Sequence, residues 1–296
     1  QVIALEEVAK CYPKVANCMV ELFFAQEISK NQSDCGGENK IASLDLKTRV
    51  LYSEPRNTGL NDLNTTFEKT ETGYKLTGTK IFTPEVFDAK KFLVIGFLND
   101  KPVFAEIEAD KVKKVKTEVH FGIDTISTDL IEIDVEIKAD KVYTISDTLG
   151  KELIIWRNLI AASALGLAHR NLVTAINFSK KLKDSQNQPL SAQQAYSFKM
   201  TDTFAEIDGA RLVTYYSASL VDAGKPNVKF SCIAKAQACE SAIISNTTIS
   251  SILGNIGNFY NETYLDALQL AYNRESKDGT TINSYEIIYQ EALAKR

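Results

Sequence analysis

The sequence predicts an α+β multidomain protein: a helical N-terminal segment, then a central β-barrel or sandwich, then a C-terminal four-helix bundle. Three observations carry that prediction. Apolar residues recur at helical spacing up to about residue 32, the pattern switches to short alternating strands from Thr48 to about Ile145, and long helical periods return after Asp147. The 296 residues, 44% of them apolar, are enough for more than one core. The boundaries are placed at 1–46, 47–147 and 148–296.

In the first part Leu5, Val8, Val15, Met19, Leu22 and Phe23 fall mostly three, four or seven apart, as one face of a helix does. Turn formers from Asn31 to Gly37 then end the pattern. The middle part reads as strands over Arg49–Tyr52, Thr65–Lys69, Tyr74–Phe82, Phe92–Leu98, Val103–Glu108, Val115–His120 and Leu130–Ile137. Thr72-Gly73, Asn99-Asp100 and Lys101-Pro102 supply turns, as a barrel or sandwich requires. In the last part helices over Leu153–Leu182, Ala192–Ala223 and Asn227–Leu253 are set off by Pro189 and by Gly224-Lys225-Pro226. Gly254, Gly257 and Asn258 interrupt again before at least one more helix from Tyr264 onward. Four such helices make an up-and-down bundle.

Composition excludes several functions. The net charge of -4 leaves no basic face, and the densest basic run, Lys111, Lys113, Lys114 and Lys116, is interspersed with valines. It reads as the solvated face of a strand and not as a nucleic-acid surface. Five cysteines, an odd number without a CxxC pair, argue against a disulfide framework or a zinc site and for a reducing interior. Cys232 and Cys239, seven apart, read as helix packing. Two histidines, His120 and His169, are too few for a metal centre or a His-dependent triad. No apolar run approaches the roughly 20 residues of a membrane span, the longest being Phe92 to Leu98. The sequence opens at Gln1 without a signal-peptide pattern, as a processed or a trimmed start would.

A series of short matches runs through this order. Ser53-Glu54-Pro55 comes first, then Thr65-Thr66 and Gly73-Tyr74-Lys75-Leu76-Thr77-Gly78-Thr79-Lys80. Arg157 follows, ahead of Ala161-Ala162 and Leu165-Gly166, then Pro189-Leu190, Gln194-Ala195, Phe198-Lys199 and Asp202. Glu206-Ile207, Ala210-Arg211-Leu212, Ala234-Lys235, Leu253-Gly254, Gly257 and finally Asp278-Gly279-Thr280 complete it. In this order and spacing the series resembles the acyl-CoA dehydrogenases over most of residues 47–296. The resemblance implies that residues 1–46 are the tail of that family's N-terminal helical domain, its first helices being absent. A helical adaptor with an unrelated β domain would account for the bundle but not for the matches.

The resemblance also implies a chemistry. Family enzymes hold FAD between the β domain and the bundle, a carboxylate removing the α-proton of an acyl-CoA while the flavin accepts hydride from the β-carbon. Asp278 stands where the family has the glutamate of Glu-Gly-Thr, one methylene shorter, and reads either as a slowed base or as a helix N-cap ahead of Gly279-Thr280. The place of an alternative base, just before Arg157, is taken by Trp156, which cannot abstract a proton. Arg157 reads either as a residue orienting the base or as a pair inside the bundle.

Cofactor contacts implied by the resemblance fall on Ser53, Thr58, Phe82, Thr83, Lys183, Gly254 and Thr280, with no metal. Several are altered. Phe82-Thr83-Pro84 replaces Trp-Ile-Thr, so that Pro84 supplies neither hydroxyl nor NH, with Thr83 and the Phe82 ring as partial substitutes. Arg56-Asn57-Thr58-Gly59 replaces Ala-Gly-Ser-Asp. Lys183 with Gln186-Asn187 replaces the Arg and Phe-Gly of the pyrophosphate segment, losing a bidentate fork and a stacking ring. Ser251 and Asn255 replace a glutamine and a glycine. The expectation is a family member with weakened or lost catalysis, kept as an assembly subunit of a larger complex or of an oligomer with itself or a related chain. The alternative is an active FAD-dependent acyl-CoA dehydrogenase with Asp278 as base. Either fits the mitochondrial matrix or the cytoplasm, with no nucleic acid and no direct membrane span.

Overall fold

The computed structural model describes residues 1–30, 32–34, 47–55, 63–81, 89–115, 130–145, 150–254 and 281–293. They divide into two compact units, one of Gln1–Asn17, Arg157–Glu275 and Ser284–Arg296, the other of Cys18–Trp156 and Ser276–Asn283.

Two helices, α1 (Val2–Cys11) and α2 (Pro13–Lys30), stand where one was expected. The break is local chemistry: Tyr12, with φ -135 and ψ 71, precedes Pro13, and the proline ring drives the preceding residue out of the helical region. The turn formers after Asn31 do not simply end the helix either. Gln32–Asp34 form a short strand, β1, which pairs antiparallel with the C-terminal strand of the same sheet.

The remaining strands are β2 (Thr48–Leu51), β3 (Thr66–Lys69), β4 (Gly73–Lys80), β5 (Lys91–Leu98), β6 (Lys101–Glu108), β7 (Lys113–Val115), β8 (Leu130–Lys138) and β9 (Val142–Ile145). They form one sheet in the order β1-β9-β6-β5-β3-β4-β8-β7, and β2 joins it by pairing parallel with β5. Alternation decides which side chains go in: on β8 Ile131 and Ile133 are buried while Glu132 and Asp134 face out. Leu51, Phe67, Leu76, Phe92, Val94, Val103 and Ile107 complete that core. β9 was not foreseen, and of the strand expected over Val115–His120 only Val115 falls within the described residues. Of the lysine run, Lys111 and Lys113 are exposed, as expected; Lys113 pairs with Glu132 at 2.6 Å, the Lys114 Nζ lies over the Phe92 ring, 5.5 Å from its centroid, and Lys116 lies outside the described residues.

The helical unit is built on α3 (Gly150–Lys181), α4 (Gln194–Asp222) and α5 (Val228–Leu253), with α6 (Thr281–Leu293) at its C-terminal end. On α4 Met200, Thr203, Ile207, Ala210, Thr214 and Ser217 repeat at three and four and form the buried seam. α4 and α5 run antiparallel, tied by Thr203 Oγ1 to Thr248 Oγ1 at 2.8 Å and by Lys199 Nζ donating to Ser251 Oγ at 3.0 Å. Cys232 and Cys239 are buried, with no disulfide between them, the packing role expected of them. α3 corrects one expectation, because it is long and apolar enough to cross a membrane by length and composition alone. Most of its apolar stretch is buried inside the protein, as in the core helix of a bundle.

Candidate functional site

The motif residues of the β unit converge on one buried ion pair. Lys80, at the end of β4, is 0% exposed and spends its three donors on Glu54 Oε1 at 2.8 Å, Tyr52 O at 3.0 Å and Ile95 O at 2.6 Å. The Glu54 carboxylate also accepts from Thr65 Oγ1 at 2.5 Å, Thr65 N at 3.0 Å and Asn64 N at 2.6 Å. Thr65 is wedged between two glycines: a Cβ on Gly96 would lie 2.6 Å from the Thr65 carbonyl, and one on Gly78 would strike the Thr65 side chain. Ser-Glu-Pro, Thr-Thr and the Gly-Thr-Lys end of β4, separate in sequence, are therefore one satisfied polar cluster with no donor of Lys80 left for a substrate.

Burial alone would raise Glu54, but the Lys80 charge and the hydrogen bonds from Lys80, Thr65 and Asn64 outweigh it and hold the carboxyl below its ordinary range. Burial pushes Lys80 down to about 8, against the pull of Glu54. Ser53, next to this cluster, is half-buried and its carbonyl accepts from Ile81 N at 2.9 Å. Trp156 is core: it stacks on Phe24 with ring centroids 4.2 Å apart and meets Tyr52 edge-on at 5.1 Å.

In the helical unit Arg157 is buried, 5% exposed, on α3. A second buried carboxylate, Glu6 on α1, was not foreseen. It is 0% exposed and accepts from Arg211 Nε and Tyr215 OH, each at 2.8 Å. Arg211 also pairs with Asp208. Burial and the bond to Glu6 raise the Tyr215 hydroxyl to about 12. The only sequence signal for Glu6 is its place between Leu5 and Ala9 on the buried face of α1. Gly254 ends α5 with φ 51, a left-handed conformation that favours glycine.

Lys183 lies on the bend between α3 and α4. It is exposed, and its Nζ donates to Asn187 Oδ1 at 2.9 Å. Asp184, a residue no motif singled out, organises the bend: its Oδ1 accepts from Gln186 N at 2.8 Å and Gln188 N at 2.9 Å, and its Oδ2 from Gln193 Nε2 at 2.8 Å. These backbone bonds, led by that from Gln188, lower the Asp184 carboxyl, so it stays ionised. Asp278, Thr58, Phe82, Thr83 and Thr280, with Pro84 and Gly257, lie outside the described residues. Among the described residues no group of His, Cys, Asp and Glu could hold a metal ion.

The family model described as "Acyl-CoA dehydrogenase, C-terminal domain" matches residues 148–277. The chain is 31% identical over 210 residues to the short-chain specific acyl-CoA dehydrogenase of Megasphaera elsdenii, which covers 64% of this chain and 52% of that protein. It thus spans about half the length of that relative. The solved structure of butyryl-CoA dehydrogenase from Megasphaera elsdenii superposes with a TM-score of 0.85 at 23% identity, covering 99% of this chain and 81% of that one. A glutaryl-CoA dehydrogenase from Mycobacterium smegmatis in complex with FADH2 gives 0.75 at 18% identity, over 83% of this chain and 65% of the other.

Proposed function

We infer the function from the premise that this chain belongs to the acyl-CoA dehydrogenase family: it keeps the dehydrogenase fold as an assembly subunit, with catalysis weakened or lost. The observation that carries this reading is the outer face of α4. Phe198, Leu212 and Tyr216 are 61%, 73% and 50% exposed, and Ala205 and Gly209 fall between them on the same face. A Cβ on Gly209 would meet nothing within 4 Å. A glycine in the middle of an exposed helix weakens it, by roughly 1 kcal/mol against alanine, with no return inside the chain. Close approach of another helix gives it a use, and the large apolar side chains on either side give that helix something to bury. The occupant is a second copy of this chain or a related dehydrogenase chain.

Three sequence departures bear on catalysis. Asp278 would hold its carboxylate about one bond short of the reacting carbon, and misplacement of about 1 Å costs on the order of a hundredfold in rate. Trp156, on the place of the alternative base, is packed into a ring stack. Pro84 offers a flavin edge neither hydroxyl nor NH. If FAD is held, the fold-family positions for it include Ser53, Thr58, Phe82, Thr83, Lys183, Gly254 and Thr280, and its chemistry would be acceptance of hydride from an acyl-CoA. Five cysteines, an odd number without a CxxC pair, support a reducing compartment, the mitochondrial matrix or the cytoplasm.

An absorbance spectrum of the purified protein, taken with light scattering for its mass, tests the reading. A colourless oligomer, or one co-purifying with a stoichiometric related chain, is expected. A yellow protein whose flavin bleaches with an acyl-CoA would restore the active enzyme, with Asp278 as its base.

A further inference from the structure

The bend Leu182–Gln193 joins the C-terminus of α3 to the N-terminus of α4, and in sequence it stands where the family's pyrophosphate segment falls. Its polar groups are matched to one another. Asp184 N donates to Gln188 O at 2.9 Å, Asn187 N to Asp184 O at 3.1 Å, and Leu190 N to Leu182 O at 2.9 Å. Asn187 is left-handed at φ 62, a conformation that short polar side chains tolerate. Two backbone amides of the bend, Gln186 N and Gln188 N, both end on Asp184 Oδ1.

We infer that this bend is closed to a phosphate or pyrophosphate ligand by the protein's own carboxylate, Asp184 holding the position a bound anion would take. Three features support it independently. Gln193, the residue before α4, donates its side-chain Nε2 to Asp184 Oδ2, so both oxygens of the carboxylate are engaged within the bend. Lys183, on the bend, spends its Nζ on Asn187 Oδ1 at 2.9 Å. The C-terminus of α3, at Lys181, turns its carbonyl end toward the bend, which disfavours a second anion there. A diphosphate arriving at this place would meet occupied amides and a like charge. The inference stands apart from the question of catalysis: a flavin held without this bend leaves it untouched, and loss of catalysis does not establish it.

Calorimetric titration of the full chain with inorganic pyrophosphate at low salt tests it. Wild type is expected to give no saturable binding, whereas D184A, with both amides released, binds pyrophosphate tighter by about tenfold or more. Adding K183M to D184A abolishes the gain, which places it at the bend. Saturable binding by wild type that K183M removes overturns the inference. So does the absence of any gain in a D184A protein that melts like wild type, because something other than the carboxylate would then exclude the anion. If D184A does not fold, D184N decides: it keeps an acceptor for the two amides and removes only the charge, so a smaller gain supports the inference and none refutes it. FAD bound by wild type with the affinity unaltered in K183M leaves the inference standing while it refutes the loss of flavin, so the two readings fail separately.

Discussion

Lys80 and Glu54 show how residues that read as a signature can serve the scaffold. Their salt bridge, 2.8 Å long with side chains 0% and 4% exposed, is surrounded by groups that complete its hydrogen bonds. Removing one partner strands the other. K80M is therefore expected to cost about 3–5 kcal/mol in urea denaturation at neutral pH, and E54Q added to K80M to recover part of it, because the amide oxygen still accepts from Thr65 and no charge is left buried, while Asn64 N loses its acceptor. The pH dependence follows from the two directions. The folded value of Glu54 lies below its ordinary 4.5, so its contribution is present above that pH and is lost as pH falls through the folded value. Lys80 is depressed from 10.5 to about 8, so the cost of burying its ammonium stands below about 8 and is relieved as pH rises toward 10.5. The stability gap between wild type and K80M should narrow below pH 4.5, where wild type loses the pair and the unpaired Glu54 of the variant is neutralised. A gap that holds constant down through that range would show that the two groups are not an ion pair.

At the scale of elements, two glycines on neighbouring helices make opposite predictions. On α3, a Cβ at Gly166 would land 2.5 Å from the Ala9 Cβ and nearer still to the Glu6 carbonyl, so α1 could no longer lie against α3. G166A should cost about 1–3 kcal/mol in urea denaturation, as overpacking does. On α4, Gly209 has open space, so G209A should stabilise the dissociated chain by about 1 kcal/mol through helix propensity and yet weaken assembly, read as a lower mass by light scattering at the same concentration. A stabilised chain with unchanged assembly would remove α4 from the interface. These elements were largely legible in the sequence, and the exceptions share a cause. β8 was readable because period-two burial is written in its own residues, and α4 because its seam repeats at three and four. β1 was not, since Gln32–Asp34 are polar and become a strand only by pairing with Tyr143–Ile145, distant in sequence. The break at Pro13 was written in the sequence, but the run of apolar residues on both sides masked it.

For the whole molecule, the ordered motifs carried the resemblance to a family, yet they did not say what each residue does. Glu54, Thr65, Gly78 and Lys80 were matched one by one, and only folding gathers them into a cluster that holds strands together. Asp184 and Glu6 carried no signature, because an aspartate that closes a bend and a glutamate that locks a helix differ from surface carboxylates only by their neighbours. The consequence for function is a statement about ligand linkage, which folding equilibria measure directly. A protein that binds FAD in its native state, with free FAD at a hundred times its Kd, gains about 2.7 kcal/mol of stability. For a chain of this size that is a rise of roughly 4 °C in Tm. Calorimetric melts of this protein with and without FAD are expected to superimpose, because the Asp184 bend is already satisfied and Pro84 offers a flavin edge neither hydroxyl nor NH. A rise of several degrees with FAD, and none with adenosine diphosphate, would mean that the flavin ring is held without the pyrophosphate segment, and catalysis at Asp278 would then be the first question to reopen.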